Sequence, residues 1–221
     1  MRSFSIMLTA LVLGAGHASG QTPTNPPSTA SSAPAVSEDA PRSWSYSASV
    51  YSYLVPDEAN YGQPTMTADR GWVHLEGRYN YEDLETGSVW VGYNVSGGHT
   101  LAWEVTPMIG GVFGSTDGIA PGCKASLGWW KLELYSEGEY VFGIGGSSDS
   151  FFYNWSELTI APGNWFRAGM VTQRTRVYET DRDIQRGFLV GFSYKALNVT
   201  TYVFNPDDSK PTILLGAGVT F

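Results

Sequence analysis

Thr212-Ile213-Leu214-Leu215-Gly216-Ala217-Gly218-Val219-Thr220-Phe221 is the stretch on which the fold turns. Taken with a period of two, Ile213, Leu215, Ala217, Val219 and Phe221 make one unbroken apolar face, while Thr212, Gly216, Gly218 and Thr220 supply a small, mostly polar other face. That period belongs to a β-strand, whose successive side chains point to opposite sides. The last residues of a soluble domain ordinarily fray and tend to be polar. An apolar stripe that runs into a final aromatic asks instead for apolar surroundings on one side.

The same alternation recurs upstream. Val73, Leu75, Gly77, Tyr79 and Tyr81 oppose His74, Glu76, Arg78 and Asn80; Leu132, Leu134, Gly138, Tyr140 and Phe142 oppose Glu133, Tyr135, Glu137 and Glu139; Phe188, Val190, Phe192 and Tyr194 oppose Gly187, Gly191, Ser193 and Lys195. One such strand would also suit a half-buried soluble sheet. The weight lies in their number. Twelve segments can be drawn, the first six being Trp44–Leu54, Tyr61–Ala68, Trp72–Tyr81, Ser88–Val95, Leu101–Phe113 and Gly122–Trp130. The other six are Leu132–Phe142, Phe151–Ile160, Trp165–Tyr178, Gly187–Tyr194, Asn198–Phe204 and Thr212–Phe221. Composition agrees: 8 Trp, 13 Tyr, 10 Phe and 26 Gly accompany only 15% charged residues, and no apolar run is long enough for a spanning helix.

These features resemble bacterial outer-membrane β-barrel proteins. The resemblance implies an all-β fold, a transmembrane antiparallel up-and-down β-barrel of about twelve strands. Ten strands is the alternative, with Tyr61–Ala68, broken by Pro64, absorbed into a loop. It also implies outer-membrane lipid as the surroundings, and a barrel-assembly machinery that reads the C-terminal strand with Phe221 as its signal. The family's usual activity is porin-like passage of small solutes.

The opposite end of the chain is consistent with export. Residues 1–20 carry Arg2, an apolar run from Phe4 to Leu13 and then small residues to Gly20, the three-part pattern of a cleaved secretory signal, with cleavage after Ala18 or Gly20. Residues 21–42 are rich in Pro, Ser, Thr and Ala and read as a disordered periplasmic spacer, leaving 43–221 for the barrel. With a periplasmic start, the gaps Val55–Asn60, Glu82–Gly87, Gly114–Pro121, Gly143–Ser150, Glu179–Arg186 and Asn205–Pro211 face outside. They are longer than the intervening gaps, as expected of such barrels. Parity then returns Phe221 to the starting side, beside the strand Trp44–Leu54. The connection at Trp129-Trp130-Lys131-Leu132 must be a very tight turn, and irregularities are expected at Pro64, Pro107 and Met170.

Alternation points His74, Glu76, Arg78, Glu104, Lys124, Glu133, Glu137, Glu139, Arg174 and Lys195 into the lumen. A charged lumen suits a channel that selects solutes; equally, ions that pair across a narrow barrel would close it. Twelve strands lie between the filled eight-stranded barrel and the wide channels of 16–18 strands. Girdle residues are expected among Trp44, Tyr46, Trp72, Tyr79, Tyr81, Trp103, Trp129, Trp165, Phe166, Tyr178, Tyr194 and Phe221, near strand ends. Tyr51, Tyr53 and Trp90 fall on inward faces.

Other classes are disfavoured. The net charge of −8 argues against nucleic acid, and a single Cys123 rules out an intramolecular disulfide. Beyond the signal only His74 and His99 are present, and neither has a Ser spaced as a nucleophile across neighbouring strands, so no catalytic residue is assigned. No cofactor or metal is called for: Glu179, Asp181 and Asp183, like Asp207 and Asp208, read as solvated loop acids. The competing expectations are a non-conducting structural or adhesion barrel, and a soluble periplasmic ligand-binding barrel with its apolar faces turned inward. Oligomeric state is not legible.

Overall fold

The computed structural model describes residues 43–54, 59–145, 150–177 and 183–221; the leader 1–20, the spacer 21–42, Tyr178, Glu179 and Asp181 lie outside the described residues. The chain is built from β1 (Ser45–Leu54), β2 (Tyr61–Arg70), β3 (Val73–Tyr79), β4 (Thr86–Tyr93), β5 (Val95–Gly97), β6 (Leu101–Gly114) and β7 (Gly118–Trp129). Then follow β8 (Leu132–Gly143), β9 (Phe151–Gly163), β10 (Phe166–Val177), β11 (Asp183–Tyr194), β12 (Leu197–Phe204) and β13 (Thr212–Thr220). Except for β4 and β5, consecutive strands pair antiparallel, and β1 pairs with β13 from Ser47↔Thr220 to Leu54↔Ile213. β4 and β5 both pair with β6, so they are one position in the wall, and the sheet closes as a barrel of twelve strands. Closure leaves no edge strand to be covered.

The break between β4 and β5 has a local cause. β6 pairs Met108 with Gly92 and Val105 with Val95, in one constant register, and the missing pairs between them fall at Pro107 and Thr106. Proline has no N–H for the ladder; there Thr106 Oγ1 donates instead to Asn94 Oδ1 at 2.7 Å. Pro64 causes no comparable break, since β1 and β2 stay in register from Ser45↔Asp69 to Tyr53↔Tyr61. Tyr61–Arg70 is therefore a full strand, and the ten-strand alternative is set aside. The tight turn is present as well: Trp130 and Lys131 alone join β7 to β8, with Trp130 at φ 55°.

Connections alternate around the barrel. At one end lie two-residue turns such as 71–72, 130–131, 164–165 and 195–196; at the other lie longer loops such as 80–85 and 205–211. The ends are called the short-turn end and the long-loop end below.

The outer surface is apolar around the whole circumference. Val50, Met66, Leu75, Val91, Ile109, Leu127, Leu134, Leu158, Met170, Phe188, Val190, Val199 and Leu215 all lie on it, exposed. Trp44, Tyr46, Trp72, Trp103, Trp129, Trp165, Tyr194 and Phe221 ring the short-turn end and are likewise exposed. A continuous apolar belt of this extent is not sustained in water; with an aromatic girdle at its rim, it is the lipid-facing surface of a membrane barrel. Cys123 sits on this outer face and is exposed. A soluble barrel would need the opposite polarity, so that expectation is overturned. Tyr81 is a correction to the expected girdle: β3 ends at Tyr79, and Tyr81 turns inward to become buried.

Candidate functional site: the barrel interior

Inward-facing side chains divide into levels along the axis. At the short-turn end a cavity of about 190 Å³ is lined in part by Ser47, Thr67, Asp69, His74, Asn94, Glu104, Thr106 and Lys124. His74 Nδ1 lies 2.7 Å from Asp69 Oδ1 and its Nε2 lies 3.0 Å from Glu76 Oε2. His74 is thus held between two carboxyl groups, one on each ring nitrogen. Asn94 Nδ2 donates to Asp69 at 2.8 Å, and Ser47 and Thr67 hydroxyls are 2.7 Å apart across β1 and β2.

Next comes an ionic knot around Arg78. Its Nε donates to Glu76 Oε1 at 2.6 Å, Nη1 to Glu139 Oε2 at 2.9 Å and Nη2 to Glu137 Oε1 at 3.2 Å, while Glu82 Oε1 lies 3.6 Å from Nη1. The Lys124 ammonium also rests on Glu76. The guanidinium is placed 3.7 Å from the ring centre of Tyr81 and 4.5 Å from that of Trp90. Planar, permanently charged and weakly hydrated, arginine suits such a buried junction better than lysine would. The hydroxyls of Tyr81 and Tyr135 both donate to Glu137, and Ser88 donates to Glu82 at 2.6 Å.

A second pair lies across the barrel. Arg167 Nη1 donates to Glu157 Oε2 at 2.8 Å, and Trp155 Nε1 and Tyr202 Oη donate to Glu157 Oε1 at 3.0 and 2.9 Å. Above it, toward the long-loop end, aromatic side chains pack together. Trp155 meets Tyr202 and Phe204 edge-on, each at 5.4 Å between ring centres, and Tyr53 stacks on Tyr61 at 4.7 Å. Gln63, Thr65, Val171, Gln173, Leu189 and Leu214 complete the layer, all buried. Between them these levels draw buried side chains from most positions in the wall. Neither Arg78 nor Glu76 leaves any side-chain surface to water.

Not all of the interior is satisfied. Both polar atoms of the Gln63 and Gln173 amides, the hydroxyls of Tyr53 and Thr65, Glu82 Oε2 and Glu139 Oε1 are buried without a hydrogen-bond partner among the described residues. A buried polar atom left unpaired costs roughly 1–3 kcal/mol, so such sites ordinarily hold water or a ligand.

His74, Glu76, Arg78, Glu104, Lys124, Glu133, Glu137 and Glu139 all face the interior; Glu104 is exposed at the short-turn mouth and Glu133 is half-buried there. Two expectations are corrected. Arg174 faces outward, its guanidinium 5.8 Å from the ring centre of Phe152, because the irregularity of β10 lies between Phe166 and Ala168 and not at Met170. From Ala168 onward the register is unbroken, which turns Val171 and Gln173 in and Met170 and Arg174 out. Lys195 is the first residue of a two-residue turn, with φ 55°, exposed and 5.4 Å from the ring centre of Tyr194. It lies outside the lumen.

Sequence reasoning missed Asp69, Glu82, Glu157 and Arg167. Glu157 could have been found, since it alternates with Trp155 and Thr159. Arg167 was hidden by the bulge, and Glu82 lies beyond β3 in a turn that folds back into the barrel.

No protein-family model and no curated protein matches the sequence. Solved structures do. The chain is similar to the KdgM porin, with a TM-score of 0.57 at 10% identity over 79% of this chain and 99% of that one. It is similar also to the KdgM porin in complex with disordered oligogalacturonate, with a TM-score of 0.58 at 9% identity and the same coverage. The fold is that of an outer-membrane porin barrel. The outer membrane protein opdK from Pseudomonas aeruginosa matches more loosely, with a TM-score of 0.44 at 9% identity over 72% of this chain and 57% of that one.

Proposed function

We propose that this chain is an outer-membrane channel of porin type, passing small solutes through the polar side of its interior. The observation that carries this reading is the set of unpaired polar atoms inside a barrel whose exterior faces lipid. A wall that needed only to be filled would do better with apolar side chains. Amides, hydroxyls and carboxylates without protein partners belong to a passage that hydrates. The Arg78 knot is then the constriction. Its ion pairs can exchange partners with water and passing ions, whereas an apolar plug cannot. Residues 1–20 serve as the export signal, and the barrel-assembly machinery reads the strand ending in Phe221.

The neighbour's ligand is not carried over. Oligogalacturonate is a polyanion, and the interior here holds more carboxylates than cations. The solute class argued from this chain is small and not acidic.

A second reading, a closed structural barrel, is favoured by one observation: the aromatic layer and the centre of the knot are buried at mid-barrel. Planar-bilayer recording separates the two. Folded protein that gives discrete current steps supports the channel, and Arg78→Ala, which removes the centre of the knot, is expected to enlarge them. Folded protein that gives no steps, wild type and variant alike, leaves the closed barrel.

A further inference from the structure

We infer that the solutes this barrel passes are cations, namely alkali ions and small alkylammonium compounds; the inference rests on the channel reading above and adds its charge preference. At mid-barrel the inward carboxylates are Glu76, Glu82, Glu137, Glu139 and Glu157, and nearer the short-turn mouth Asp69, Glu104 and Glu133 join them. Against these stand Arg78, Lys124 and Arg167, with His74 held between two carboxylates. One guanidinium thus serves Glu76, Glu82, Glu137 and Glu139 together, and carboxyl groups outnumber cationic ones inside the wall.

An acidic cluster alone would not identify what enters. The second observation is a row of buried carboxylate, hydroxyl and amide groups beside the knot that meet no hydrogen-bond partner among the described residues. Glu139 Oε1 and Glu82 Oε2 are free of partners among the described residues although both residues are buried. On β2, Thr65 lies in register with Arg78, and its hydroxyl is buried and unpaired, as is the amide of Gln63 one inward position further along. Carboxylate, hydroxyl and amide oxygens are hard ligands, the set that replaces the hydration shell of an alkali ion or receives the N–H of an ammonium group. An anion would be repelled by the carboxylate oxygens of Glu82 and Glu139 and would find the Arg78, Lys124 and Arg167 cations already engaged. A low-dielectric wall focuses the field of the excess charge onto the axis, which raises the local concentration of counter-ions.

The test uses the full-length chain reconstituted in planar bilayers under a potassium chloride gradient. The expected result is a reversal potential of cationic sign, with potassium favoured over chloride by about tenfold or more. Two variants assign the groups. Glu139→Gln keeps an oxygen to accept from Arg78 while removing charge at the knot; Glu104→Gln removes charge at the exposed mouth with no part in the packed layers. Each is expected to lower the potassium preference severalfold, Glu139→Gln the more. Steps that are unselective or prefer chloride would overturn the inference and leave the channel reading intact. Steps that prefer potassium equally in wild type and both variants would overturn the assignment to these carboxylates. Heat-modifiable, folded protein without any steps would sink the channel reading, and the charge preference with it.

Discussion

Arg78 decides the chemistry of the interior, because four carboxylates depend on one guanidinium. Removing one partner of a buried ion pair leaves the other charged in a poor solvent for charge, at a cost of about 3–5 kcal/mol. Arg78→Ala is therefore expected to lower the unfolding free energy of the detergent-folded barrel, followed by denaturant titration, by an amount in that range. Adding Glu137→Gln to Arg78→Ala is expected to restore part of the loss, since it deletes a stranded charge. An unchanged midpoint in the single variant would show that water already solvates the knot. Lysine is not an equivalent replacement: it lacks the planar fork that reaches Glu76, Glu137 and Glu139 at once. Of this site, His74, Glu76, Arg78, Glu137 and Glu139 were legible as inward residues from alternation alone. Their mutual contacts were not, because they join β3 to β8 across the barrel, and no local pattern fixes which strands face each other. Outside the wall, the Asp207 carboxyl is held below its usual range by the Arg186 hydrogen bond at 2.8 Å. A depressed acid contributes stability above its unfolded value and loses it as pH falls through the folded value. Both side chains are solvent-exposed, so the contribution is small. The expected signature is spectroscopic: Arg186→Gln moves the Asp207 titration, followed by carboxyl NMR shifts, back up toward the ordinary range.

At the scale of elements, the terminal strand shows how composition becomes packing. Its outward residues Ile213, Leu215 and Phe221 meet the apolar surroundings, while Gly216 on the inner side leaves room for an aromatic ring. A Cβ at Gly216 would collide with Cε1 of Tyr51, which is buried and packed near Tyr202. Trp90 covers Gly110 in the same manner, its indole occupying the corresponding Cβ position. An aromatic ring laid across a strand glycine fixes the register of the pair and fills the space that the missing side chain leaves. Gly216→Ala forces Tyr51 off its place and is expected to cost about 1–3 kcal/mol, the usual penalty of overpacking. The measurement is the unfolding midpoint. With Tyr51→Ala already in the chain, Gly216→Ala is expected to leave that midpoint where it was. The seam itself is closed by reciprocal hydrogen bonds between Tyr46 and Phe221, with the two rings stacked at 6.0 Å. Strand existence, the tight Trp130-Lys131 turn and the pairing of the first strand with the last all followed from alternation and parity. The bulge at Arg167 did not, since a bulge is set by how two neighbouring strands curve against each other. Its misplacement reversed the facing of Arg174.

As a whole molecule, the barrel is inverted relative to a soluble one: lipid-compatible outside, ion-paired and aromatic within. Backbone groups in the wall pair strand to strand around a closed circuit, the condition for spanning hydrocarbon without helices. No helix among the described residues is long and apolar enough to cross a membrane. The expected behaviour is extraction only by detergent, resistance of the fold to dodecyl sulfate without heating, and a shift in gel mobility once heated. Release by salt or alkaline washing would contradict the membrane-spanning arrangement.

The sequence by itself determined the fold class, a count of about twelve strands and, β10 excepted, the side of the strands that meets lipid. It could do so because a period of two is a local property and strand parity needs only counting. Tertiary structure alone decided what the interior is. Whether inward Glu, Arg, Tyr and Trp side chains line an open space or meet at the centre depends on barrel diameter and strand stagger, and these emerge only when the sheet closes on itself. Closure is what brought Arg78 within reach of Glu137 and Glu139, put Trp155 against Tyr202 and Phe204, and left the Gln63 and Gln173 amides without partners among the described residues.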